Sequence, residues 1–166
     1  MFNLFKQRDF VRKLRMAHDA LPKSAQETGA KICVRSGKCC WSGPCELAPG
    51  DEQRLAAHLS LSVEDLFRSY LVVDHRRGSS YGSPLRLRVM PRRENQGGGA
   101  FLTSDQTYDV GACVFLAAGC CSVHEVKPTG GRYYECWNPS THGSPPGCDW
   151  TREQVEAIGW DGEVEE

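Results

Sequence analysis

The chain has 166 residues, with 20 basic and 21 acidic side chains and a formal charge of −1, so it lacks the positive excess on which polyanion binding rests. Hydrophobic residues make up 40% and charged residues 25%, a balance that excludes a disordered or fibrous chain. No apolar run approaches the roughly 18 residues of a membrane-crossing helix, and no transmembrane span is expected.

Phe10, Val11, Leu14, Ala17 and Leu21 fall on one face at helical spacing, opposite Lys6, Arg12, Lys13 and Arg15, which predicts an amphipathic helix over 6–21. Its apolar stripe is read as packing on the domain rather than on a membrane surface. The same residues are too dispersed among charges for a secretory signal, so the expected compartment is the cytoplasm. Pro49 and Gly50 then lead into a helix from Asp51 to Leu59 with acids in its first turn, where they oppose the helix dipole. A further helix starts at Ser62, whose spacing to Asp65 suits a cap, and it presents Leu66 with Tyr70 and Phe67 with Leu71 as spaced pairs.

Leu85, Leu87 and Val89 alternate with Arg86 and Arg88, the period of a strand with one solvated face. Gly97, Gly98 and Gly99 make a turn, with Ala100 to Thr103 returning as the strand's hairpin partner. From Asp109 onward the chain is glycine-punctuated and rich in cysteine, and between Pro128 and Pro146 it reads as irregular. Thr151 with Gln154 caps a last short helix through Val155 and Ile158, followed by an acidic end.

Nine cysteines dominate the chemistry: Cys33, Cys39, Cys40, Cys45, Cys113, Cys120, Cys121, Cys136 and Cys148. Disulfides need an oxidising compartment, and the odd number would leave one thiol over, so ligation of a metal is the leading reading. The first group lies in the stretch CVRSGKCCWSGPC, where glycines let the backbone bend around a common centre. The second begins with CVFLAAGCCSVHEVKP and continues to Cys136 and Cys148. Neighbouring side chains point in different directions, so Cys39 and Cys40 are not equivalent ligands of one tetrahedral ion, nor are Cys120 and Cys121. His124, three residues after Cys121, is a substitute ligand.

The order of Gly37, Cys39 and Cys40, a helical pair over 51–71, then Cys113, Phe115 and Leu116, Cys121, Val123, His124 and Glu125, Lys127 and Pro128, and finally Cys136 resembles the CxxCxxCC family of YkgJ-like cysteine cluster proteins. These are described as zinc- or iron-chelating domains. Ser36 stands where the family has its second cysteine, His124 where it has tyrosine and Lys127 where it has arginine, and Gly130 and Gly131 fall in a longer gap before Cys136. The resemblance implies a bound metal. Thiolates suit both a closed zinc site and an iron–sulfur cluster, with the cluster read slightly ahead. A related cysteine module occurs in proteins resembling flagellin lysine methylase, which keeps redox or protein-modification chemistry open.

Other chemistries lack support: no Walker loop, dinucleotide fingerprint or nucleophile elbow is present. Arg76, Arg77, Arg86, Arg88, Arg92 and Arg93 form an arginine-rich middle segment, read first as a solvated strand face and second as a surface for a protein partner. The expected fold is α+β, a small irregular metal-stabilised domain with short helices and a small antiparallel sheet. It is laid out as an N-terminal helix and linker over 1–28, the cysteine cluster over 29–148, and a short helix with an acidic tail over 149–166. The expected function is cysteine-cluster metal binding, with an iron–sulfur cluster or zinc as cofactor. The alternative is a zinc-stabilised interaction module using the arginine-rich face.

Overall fold

A computed structural model describes residues 40–41, 45–76, 86–103, 106, 111–134 and 145–162. The helix expected over 6–21, Cys33, Cys39, Cys136, Arg77 and the acidic end lie outside the described residues. Among those described, no helix is long and apolar enough to cross a membrane.

Gly50, at φ 99°, turns the chain into helix α1 (Asp51–Leu59). The acids of its first turn do more than oppose the helix dipole. The Glu52 carboxylate accepts from the Gly50 N–H at 2.7 Å, and that of Asp51 accepts from the Ala48 N–H at 3.0 Å. Helix α2 (Val63–Tyr70) starts as its sequence indicates, with the Ser62 hydroxyl oxygen accepting from the Asp65 N–H at 3.0 Å. It buries Leu66 and Phe67 and stops at Tyr70, one residue short of the predicted pairing of Phe67 with Leu71.

Leu71 instead opens strand β1 (Leu71–Arg76), whose first three residues, Leu71, Val72 and Val73, are fully buried. An apolar run of this kind belongs to a strand covered on both faces, and periodicity alone does not separate it from the end of a helix. Its antiparallel partner is β2 (Arg86–Pro91), with Val73 opposite Val89 and Asp74 opposite Arg88. The hairpin expected between β2 and residues 100–103 does not form. Gly97 to Gly99 carry the chain to the other edge of β1, where the Val73 N–H donates to the Ala100 carbonyl at 2.9 Å and the Leu102 N–H to the Val73 carbonyl at 2.8 Å. The sheet therefore takes its second strand from the segment before β2, because β1 offers the longer buried apolar run.

A second, two-residue hairpin joins β3 (Leu116–Ala117) to β4 (Cys120–Cys121). Ala118 at φ 48° and Gly119 at φ 78° make its turn, the positive-φ pair that suits a tight hairpin. The stretch read as irregular after Pro128 contains helix α3 (Thr129–Tyr133). Helix α4 (Arg152–Ala157) begins with a complete capping box of Thr151 and Gln154. Leu55, Leu66, Phe67, Val73 and Val89 pack in one core with Phe115, Trp150, Val155 and Trp160. These short helices on a small antiparallel sheet make an α+β architecture.

Candidate metal centre

The segment after Cys45 is held from several directions. Leu47 N–H donates to the Val89 carbonyl at 2.8 Å, which adds the segment to the edge of β2. The Gly130 N–H donates to the Glu46 carbonyl at 2.8 Å, and the Trp150 indole N–H to the Leu47 carbonyl at 2.8 Å. Gly130 and Gly131 of α3 are in close contact with this segment. A Cβ on Gly130 would stand 2.6 Å from the Glu46 nitrogen, and one on Gly131 would stand 2.8 Å from the Cys45 sulfur. Only glycines let α3 come this near, and their closeness fixes Cys45.

Cys40 and Cys113 are tied together by backbone. The Cys113 N–H donates to the Cys40 carbonyl at 2.7 Å, and the buried Arg93 guanidinium donates to the carbonyls of Gly111 at 2.7 Å and Trp41 at 3.4 Å, flanking both cysteines. Cys121 comes from the second hairpin. Because adjacent strand residues face opposite ways, β4 turns Cys121 inward and leaves Cys120 exposed.

Cys40, Cys45, Cys113 and Cys121 consequently line one cavity of about 20 Å³. Pro91, Phe115, Val123 and Pro128 form its apolar wall together with Lys127, and Tyr70 stacks on Phe115 at a centroid distance of 5.4 Å. Two stretches far apart in sequence meet here, Cys40 and Cys45 from the first cysteine group and Cys113 and Cys121 from the second. All four are thiols rather than halves of disulfides. The donor chemistry fits a thiophilic ion such as zinc, which cysteine sulfur binds as thiolate. As the side chains stand, no group of three or more His, Cys, Asp or Glu among the described residues is drawn close enough to hold a metal ion.

The remaining candidates separate from this cavity. Cys148 is fully buried elsewhere, its thiol donating to the Glu46 carbonyl at a sulfur–oxygen distance of 3.8 Å. Cys120 faces solvent, and His124 starts a single 3-10 turn (His124–Val126) without lining the cavity. Cys33, Cys39 and Cys136 lie outside the described residues. Sequence reasoning missed Lys127, Gly130, Gly131 and Arg93 as parts of the site. The glycine pair beside a cysteine-rich stretch was the available signal, since adjacent glycines permit close backbone approach as readily as they mark a loop.

Among the described arginines of the middle segment, Arg86 stays exposed with Leu87 and Val89 turned inward, as the strand alternation predicts, whereas Arg88, Arg92 and Arg93 are partly or wholly covered and spend their donors inside the fold. Arg88 donates to the fully buried Asp74 carboxylate through Nε at 3.0 Å and Nη2 at 2.5 Å, and to Glu46 at 3.3 Å. Burial works against its charge, but the Asp74 hydrogen bonds and the charges of Asp74 and Glu46 outweigh that and hold the guanidinium above its ordinary pKa. Arg92 donates to the carbonyls of Ser69, Arg93, Glu94 and Gln96. Arg86 reaches Asp149 at 2.7 Å on the surface.

No family model matches the chain, and neither a curated protein nor a solved structure matches it.

Proposed function

We propose that this chain is a cysteine-cluster metal-binding protein whose centre is carried by Cys40, Cys45, Cys113 and Cys121. The observation behind this reading is the convergence of those four thiols, two from each cysteine group, on one small cavity. The resemblance of the cysteine pattern to the CxxCxxCC family points the same way. Four cysteine sulfurs suffice to complete the tetrahedral shell of one zinc ion, and a single closed zinc site is the form we propose. Drawing four thiolates onto such an ion closes its coordination shell and pins the first cysteine group to the second. Metal-binding free energy is then folding free energy.

Anaerobic purification followed by elemental analysis and an absorption spectrum tests the reading. Colourless protein with one zinc per chain is the expected result; brown protein with iron and labile sulfide would keep the metal reading and replace zinc by a cluster. Chain that takes up neither metal under reducing conditions, and melts at the same temperature with and without added zinc, would defeat it.

A further inference from the structure

We propose that Cys40 and Cys113 are a redox pair, whose thiols an oxidant such as hydrogen peroxide joins as a disulfide between the first cysteine group and the second. The inference concerns these two thiols alone and does not depend on a metal in the cavity. The Cys113 N–H donates to the Cys40 carbonyl at 2.7 Å. Across such a bond the backbone bond lengths hold the two α-carbons within about 7 Å, the span a disulfide bridges without moving the chain. Both residues are buried and both line the cavity, so their side chains open onto the same space.

The backbone beside each cysteine is fixed. The Glu94 N–H donates to the Ala112 carbonyl at 2.9 Å and the Val114 N–H to the Arg92 carbonyl at 3.0 Å, so Cys113 sits between two bonds to the neighbouring strand segment. Arg93, opposite Cys113 in that pairing, donates to the carbonyls of Gly111 and Trp41. One guanidinium thus holds the chain next to Cys40 and next to Cys113. The other described cysteines are seated differently. Cys45 lies against Gly131 of α3, Cys121 belongs to the β3–β4 hairpin, Cys120 faces solvent, and Cys148 is buried against the Glu46 carbonyl.

With hydrogen peroxide, one sulfur attacks the O–O bond, which breaks to leave a sulfenic acid on that sulfur and to release one water. The second sulfur displaces the sulfenic hydroxyl, which leaves with the remaining thiol proton as a second water while the S–S bond forms. Two thiols are oxidised by two electrons and one peroxide is reduced to two waters. Cys45 and Cys121, which line the same cavity and are partly exposed, mark the side from which a small oxidant enters. In the metal-binding reading above, the bond also withdraws two of the four donors, so oxidation and metal loading exclude one another.

The experiment treats the full chain, purified under reducing conditions and then freed of reductant, with one equivalent of hydrogen peroxide, once folded and once in urea. Remaining thiols are alkylated, and disulfides are mapped by mass spectrometry without reduction. The folded chain is expected to give one major disulfide, between Cys40 and Cys113, which becomes one pairing among many in urea. It should be lost in Cys40→Ser and Cys113→Ser and kept in Cys45→Ser and Cys121→Ser; should a serine variant fail to fold, the wild-type map decides. A folded wild-type chain whose major disulfide joins any other pair, whose Cys40 and Cys113 stay thiols, or whose products match those in urea would overturn the proposal. Failure of the chain to take up zinc would leave it standing.

Discussion

Asp51 and Thr129, 78 positions apart, are joined by a hydrogen bond in which the Thr129 N–H donates to Asp51 Oδ2 at 2.5 Å. The carboxylate that opens α1 thereby caps α3 as well, a helix with no cap from its own neighbourhood. It also accepts from the Thr129 hydroxyl at 3.2 Å, from Arg132 at 3.3 Å and from Arg54. Asp51→Ala strands several of these donors and is expected to destabilise the fold by about 2–4 kcal/mol. Asp51→Asn, which keeps the shape but loses the charge facing two arginines, should cost about half as much. Urea unfolding of the two variants checks the order.

The contact between α3 and the Cys45 segment predicts that alanine is not tolerated there. Gly130→Ala places a methyl group 2.6 Å from the Glu46 nitrogen and 2.7 Å from its carbonyl oxygen, both backbone atoms that have little freedom to yield. A loss of about 1–3 kcal/mol is expected, the usual range for forced overpacking. Gly131→Ala pushes instead on the Cys45 sulfur, so its expected signature is weakened metal uptake beyond its effect on melting temperature. Zinc titration and thermal melts of both variants measure the difference.

The cysteines should divide by position. Serine at Cys40, Cys45, Cys113 or Cys121 is expected to abolish stoichiometric metal, whereas Cys120→Ser leaves it unchanged. Cys148→Ala should retain metal and lose about 1–2 kcal/mol of stability, through a small void and the lost hydrogen bond to Glu46. Alkylation of the native chain, followed by mass spectrometry, should modify Cys120 before Cys148, which is fully buried. Early labelling of Cys148 would contradict its assigned place.

Removing one partner of the Asp74–Arg88 pair should be among the most damaging single changes. Arg88→Met leaves a fully buried carboxylate at Asp74 without its bidentate donor, and about 3–5 kcal/mol is expected to be lost. Arg86→Ala, by contrast, breaks only a surface pair with Asp149 and should fall within about 1 kcal/mol of wild type. Chemical denaturation of the two variants distinguishes them. Charge reversal at Arg88 would thus report on folding rather than on partner binding.

One pH effect has a defined sign. The Glu153 carboxylate is held below its ordinary range first by a hydrogen bond from its own backbone N–H and then by the Thr151 hydroxyl. A lowered folded-state pKa gives stability that is present above the unfolded-state value and is lost as pH falls through the lowered one. Glu153→Gln should therefore be slightly less stable than wild type at neutral pH, and the difference should close in acid. Melting temperatures across the acidic range would show it.

The helix starts were legible because capping is local: Ser62 with Asp65 and Thr151 with Gln154 needed nothing beyond three residues. Strand β1 was not, since Leu71 continues the helical spacing of Leu66 and Phe67 while the hydrogen bonds that make it a strand come from Met90 and its neighbours. Arg88 obeyed the alternation of a solvated face, and only the register with Asp74 turned it inward. For the site, adjacency alone showed that Cys120 and Cys121 must diverge. Which of them faces the cavity depended on the hairpin at Ala118 and Gly119, where alanine at positive φ gave little warning. Lys127 was legible only as a departure from a pattern, and its burial followed from the packing of α3.

The stretch from Cys45 to Leu47 takes its fixed position from residues made long after it, and the bond from the Trp150 indole to Leu47 spans 103 positions. During synthesis the first thiols leave the ribosome well before the strand, the glycine pair and the tryptophan that will hold them. They therefore spend that interval without the partners that cover them, and the order of translation leaves the assembly of this cavity to an event after Trp150 has emerged.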